Sequence, residues 1–170
     1  QLGAGGSLQA LAGALRVGVP SVAMAGDARV AFSTLVALQE SSAIVLNGAT
    51  PANQAVLDAA MAGGYSGLYA QWQSDQSLSA ADRAAGRANF SDEYLAARTQ
   101  YVLALADARG SDVGYSPTVT SGVVYEDVGT GTVLGSSGNP VPWLNRQIIF
   151  GSDGADTLTG GTYADQLFGG

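Results

Sequence analysis

The chain contains no cysteine and no histidine, and all seven of its basic residues are arginine. Without Cys it can form no disulfide and hold no reactive thiolate. Without His it lacks the commonest general base and metal ligand, so no Ser-His-Asp triad can be completed within these residues. With both types missing there is no zinc motif. With no Lys, the Gly-rich opening cannot be a phosphate loop, whose lysine reaches the nucleotide. The pattern G-x-S-x-G is also absent; Ser66 sits in Gly64-Tyr65-Ser66-Gly67, which has the wrong spacing. No catalytic residue is therefore assigned, and whether the whole protein is an enzyme stays open.

Positive charge is scarce too. Seven basic residues face fourteen acidic ones, giving a net charge of −7 and a sequence pI of about 4.2. Such a chain repels nucleic-acid phosphates and anionic membrane surfaces. No apolar run approaches the roughly 18 residues of a membrane span. No basic segment precedes an apolar one at the N-terminus, so no cleavable signal peptide is read there. The chain begins at Gln1 rather than Met and stops inside a repeat; the expectation is a piece of something longer.

What is present is organised towards the C-terminus. Residues 151–170 fall into frames of nine on the template G-G-x-G-x-D-x-U-x, with U a large apolar residue. The first frame has Gly151, Gly154, Asp156 and Leu158 in place, with Ser152 where the second glycine belongs. The second has Gly160, Gly161, Asp165 and Leu167, with Tyr163 replacing a glycine, and Gly169-Gly170 opens a third. Glycines turn tightly and let carbonyl oxygens point inward. Carboxylates at matching places complete an oxygen donor set of the kind that hard Ca²⁺ takes. Asp153, Asp156 and Asp165 are the candidate carboxylates; Gly151, Gly154, Gly160 and Gly161 are the candidate turn and carbonyl residues. The competing reading is a pair of ordinary Gly-rich surface turns that happen to repeat.

Before the repeats the pattern is helical. Ser7–Arg16 has helical spacing, with Val17–Pro20 ending it. Residues 25–40 carry Val30, Phe32, Leu35, Val36 and Leu38 as a buried band. Residues 41–47 either finish that helix or form a short strand. Thr50 and Pro51 read as a cap and first helical residue, ahead of Val56, Leu57, Ala60 and Met61; Gly63-Gly64 interrupts, and the helix resumes through Trp72. The aromatics at this spacing read as core. Ser79 caps a short helix closed by Gly86. Ser91, followed by Asp92-Glu93, opens the strongest helix, with Tyr94, Leu95, Tyr101, Val102 and Leu105 on one face and Gly110 at its end. Asp92-Glu93 reads as helix-start electrostatics. Residues 122–134 read as a hairpin around Gly129-Thr130-Gly131. Glu126 and Asp127 face opposite ways on a strand and read as solvated hairpin charges. Residues 135–140 read as a loop and Gln147–Phe150 as a strand. The fold class expected is α+β: a helical module (1–110), a β-hairpin and connector strand (111–150), and the start of a parallel β-roll (151–170).

The two frames resemble the RTX, or haemolysin-type calcium-binding, repeat of bacterial exoproteins. That resemblance implies turns alternating between two sides of a parallel β-roll, with Ca²⁺ between turns two frames apart. Asp156 would then need a partner beyond Gly170, and Asp165 would look back to Asn145-Arg146-Gln147, which offers no carboxylate. Weak or part-formed calcium binding by this piece alone is the expectation. Phe90–Arg98, Val124–Thr132 and Ile148–Gly151 leading into the repeats also look like the connector of large lipase-like RTX proteins. This implies an extracellular, type I-exported protein with a hydrolase-like domain upstream, any catalytic Ser and His preceding Gln1, and further repeats downstream. A calcium-dependent surface-layer or adhesin module, assembling outside the cell, is the second reading.

Overall fold

The computed structural model describes residues 17–18, 28–46, 50–110, 122–135 and 145–169. They fold as a mixed α/β chain in two compact units, divided between Thr99 and Gln100. The helix expected over Ser7–Arg16 and the loop at 136–140 lie outside the described residues.

The first unit is mainly helical. It contains β1 (Val17–Gly18), α1 (Ala28–Gln39), β2 (Val45–Leu46), α2 (Pro51–Ala62), α3 (Ser66–Ser77), α4 (Ala80–Ala84) and the start of α5 (Asp92–Gly110). Apolar residues three and four apart put Ala31, Phe32, Leu35 and Leu38 of α1 in the core. Phe32 is fully buried and meets Tyr69 edge-on at 5.6 Å between ring centres. After α1 the chain reverses through Ser41, whose φ of 50° is left-handed, and enters β2. Val17–Gly18, expected only to stop a helix, instead pairs with β2 antiparallel, Val17 opposite Leu46. Such short ladders depend on a partner distant in sequence, which local periodicity does not reveal.

Caps fix the helix starts. The Thr50 side chain accepts from Asn53 N at 3.2 Å, with Pro51 beginning α2. Ser79 accepts from Asp82 N at 3.1 Å and donates to the Asp82 carboxylate at 2.7 Å. Ser91 accepts from Tyr94 N at 3.1 Å. Each supplies an acceptor to an N–H that has no partner within its helix, an effect of about 1 kcal/mol. Gly63–Tyr65 separates α2 from α3. On α2 the inward residues are Leu57 and Asn53; Val56, expected on the apolar face, is 44% exposed.

The second unit pairs the C-terminal part of α5 with a four-stranded sheet. Its strands are β3 (Val123–Asp127), β4 (Thr132–Gly135), β5 (Arg146–Phe150) and β6 (Gln166–Phe168), in the order β4-β3-β5-β6. β3 and β4 form the antiparallel hairpin, with Asp127 opposite Thr132 and Gly131 at φ 66° in its turn. β5 runs parallel to β3, Asp127 opposite Phe150, and β6 runs parallel to β5. Tyr101 of α5 seats its ring 6.1 Å from Tyr125 and 5.5 Å from Phe150, and Phe150 stacks on Phe168 at 5.6 Å. Fully burying such a ring stabilises by about 1.5–3 kcal/mol, and the column adds to the buried Val124, Ile148 and Ile149 of the sheet. Among the described residues no helix is long and apolar enough to cross a membrane.

Candidate functional site

The two repeat frames build two turns closed in the same way. In the first, the Asp156 carboxylate accepts from Ser152 N at 2.6 Å. In the second, the Asp165 carboxylate accepts from Gly161 N at 2.6 Å. Both bonds reach four residues back, and the residues involved recur nine apart. The nine-residue period in sequence is thus a period in hydrogen bonding. A main-chain N–H suits an ionised carboxylate, and such charge-assisted bonds are short and about twice as strong as neutral ones.

The departures from the template have local explanations. Ser152, standing where a glycine is expected, donates its hydroxyl to Asp156 at 2.9–3.0 Å and accepts from Gly154 N at 3.2 Å. It therefore ties three positions of the turn together. Gly160 sits close beneath Asp165: a Cβ there would stand 2.5 Å from Asp165 Oδ2, so the carboxylate would have to shift. Gly151 donates its N–H to Phe168 O at 2.8 Å, linking the first turn to the end of β6. Asp153 is exposed.

Between β5 and β6 the register carries the same arithmetic. Ile148 pairs with Gln166, Ile149 with Leu167 and Phe150 with Phe168, each eighteen residues apart. Eighteen is two frames. Gln147 continues this alignment, donating its N–H to Asp165 Oδ1 at 2.7 Å across a separation of 18. Asp165 thus reaches back to the segment 145–147, where it meets a main-chain N–H.

Asp127 was expected as a solvated hairpin charge. It is instead 2% exposed, and its Oδ1 accepts from Thr130 N at 3.1 Å. The reason is the parallel pairing with β5: Val128 N donates to Phe150 O at 2.9 Å, and a Cβ on Gly129 would lie 3.7 Å from Ser152. The hairpin turn is stacked on the first repeat turn. Glu126, its neighbour, is half-buried.

As a donor set the turns fit a hard cation in kind. They present carboxylates, and a carboxylate has about four lone-pair directions, of which Asp165 commits two to N–H groups. Ca²⁺ takes about six to eight oxygens, and among the described residues no three acidic side chains converge. Comparison with protein-family models, with curated proteins and with solved structures finds no match.

Among the described residues a pocket of about 270 Å³ lies in the first unit, with Trp72, Asp75, Arg83 and Phe90 in its lining. Its buried carboxylate is occupied structurally. Asp75 accepts from Asn89 N at 2.7 Å, Asn89 Nδ2 at 2.8 Å and Phe90 N at 2.9 Å.

Proposed function

We propose that this chain is a non-catalytic, calcium-responsive region of a secreted RTX protein, carrying the N-terminal cap and first coil of a parallel β-roll. The observation that carries this reading is the eighteen-residue parallel register of β5 and β6. It equals two of the nine-residue frames and lets Asp165 reach Gln147 across one coil. A repeat whose hydrogen bonds recur every nine residues and whose strands stack every eighteen is how such a coil would be built.

On this reading, further coils would add along β6, and calcium would sit between turns of neighbouring coils. Asp153, Asp156 and Asp165 would contribute carboxylates, with Gly151, Gly154, Gly160 and Gly161 shaping the turns. Since a cation that binds only the ordered state stabilises it, a long repeat would stay open in low calcium and close outside the cell. The upstream region would be lipase-like or otherwise hydrolytic, as the order of segments suggests.

The test is calorimetry of Ca²⁺ into this chain and into one lengthened by several repeats, with circular dichroism alongside. The expected result is tight binding and gain of β signal only in the longer chain. If neither binds, the frames are ordinary turns and the reading falls. If calcium instead drives either chain into ordered assemblies, the surface-layer or adhesin reading replaces it.

A further inference from the structure

We infer that the first coil, residues 147–168, closes without a metal ion, and that Gln147 is the residue that decides this. Gln147 precedes Asp165 by two frames, so it stands one coil back at the place Asp165 itself occupies in the repeat. A carboxylate there would stand one strand spacing, about 4.8 Å, from Asp165, and the two like charges would repel unless a proton or a cation came between them. Gln147 brings no charge. Its N–H meets Asp165 Oδ1 at 2.7 Å while Gly161 N–H meets Oδ2 at 2.6 Å, so both oxygens are held by protein donors.

The rest of the coil is likewise closed by the protein. Phe168 stacks on Phe150 at 5.6 Å, Gly151 N binds Phe168 O at 2.8 Å, and Ile149 lies opposite Leu167. On its other side β5 is covered by β3, with Val128 N on Phe150 O at 2.9 Å. The coil is therefore a metal-independent seed. The wider reading of the repeats enters only in what the seed is for: a preformed end on which calcium-dependent coils can be laid.

Amide hydrogen exchange on the 170-residue chain tests this, in excess chelator and then in millimolar Ca²⁺. The amides of Gln147, Gly151 and Gly161 should be slowed at least ~100-fold over the open chain in chelator, with calcium changing this less than about two-fold. Free exchange of these amides in chelator would overturn the inference. Gln147→Asp should lose protection at Gly151 and Gly161 in chelator and regain it in calcium; Gln147→Asn should keep it in both. A Gln147→Asp chain that is closed in chelator, or open in both conditions, would overturn the role given to Gln147. These measurements use only the present chain, so they can succeed where calcium titration of the lengthened chain fails, and the reverse.

Discussion

Asp75 of α3 and Asp165 before β6 each accept main-chain N–H groups from a segment well removed in sequence, yet their surroundings differ. Asp75 is 4% exposed and receives three donors from Asn89 and Phe90. Asp165 is half-buried and receives two, one from its own turn and one from a neighbouring strand. The first carboxylate is spent on holding the loop between α4 and α5 against α3. The second holds its turn and keeps lone pairs that a cation could use. The same side chain is structural where it is sealed and saturated, and adaptable where it is not. The contrast is between the two carboxylates: the coil also has its own buried residues, Ile148, Ile149 and Phe150, and its turns add main-chain and carboxylate bonds nearer the surface.

The largest effect should come from opening a sealed ring site. Phe32 is 0% exposed, and Phe32→Ala should cost about 3–5 kcal/mol, part lost transfer energy and part cavity. Urea unfolding would measure it; a loss below about 1 kcal/mol would mean that the α1 core is not packed as described. Next comes Asp75→Ala, which takes the acceptor from the part-buried N–H groups of Asn89 and Phe90. Losing hydrogen bonds to a charged group costs about 1.5–3 kcal/mol, and exchange at Asn89 and Phe90 should quicken ahead of global unfolding.

In the coil the corresponding changes should be smaller and local. Gly160→Ala puts a methyl 2.5 Å from Asp165 Oδ2, so the carboxylate must move off Gly161 N or Gln147 N. A loss of about 1–2 kcal/mol, confined to residues 147–168, is expected. Exchange at Gly161 and Gln147 would report it, and the helical unit should be untouched. A matching change at Asp75 reports in the opposite place. If Gly160→Ala melted the helical unit instead, the contrast between sealed and surface carboxylates would fail.

Much of this was legible because it is local. Thr50, Ser79 and Ser91 announced their helices, since a cap is a relation over three residues. The hairpin at Gly129–Gly131 and the nine-residue frames were readable for the same reason. What escaped the sequence was non-local. Nothing near Val17 shows that it will meet Leu46, and nothing near Asp127 shows that Phe150 will lie beside it and exclude water. The adjacency argument for Glu126 and Asp127 concerned direction, whereas burial depends on what covers each face. The side chain of Gln147 gives no sign of its role, because its contact with Asp165 is made by its backbone N–H.

The finest test of the aromatic column is alkaline pH. Burial raises the Tyr125 phenol above its ordinary value of 10.0, with the Arg146 charge pulling the other way. Its hydroxyl donates to Gln100 Oε1 at 3.1 Å. In the unfolded chain the phenol ionises near its ordinary value, while in the folded chain it holds its proton longer. Its contribution is therefore complete below about pH 10 and is lost as pH rises through the higher folded value. Tyr125→Phe removes the titration, so stability should decline less steeply above pH 10 while changing little at neutral pH beyond the hydrogen bond, about 1 kcal/mol. Tyr65, raised chiefly by its hydrogen bond to Glu40 in the helical unit, is the comparison: Tyr65→Phe should also flatten the alkaline limb. An unchanged limb in Tyr125→Phe would mean that the phenol is hydrated, and that Tyr101, Tyr125 and Phe150 do not form a closed column.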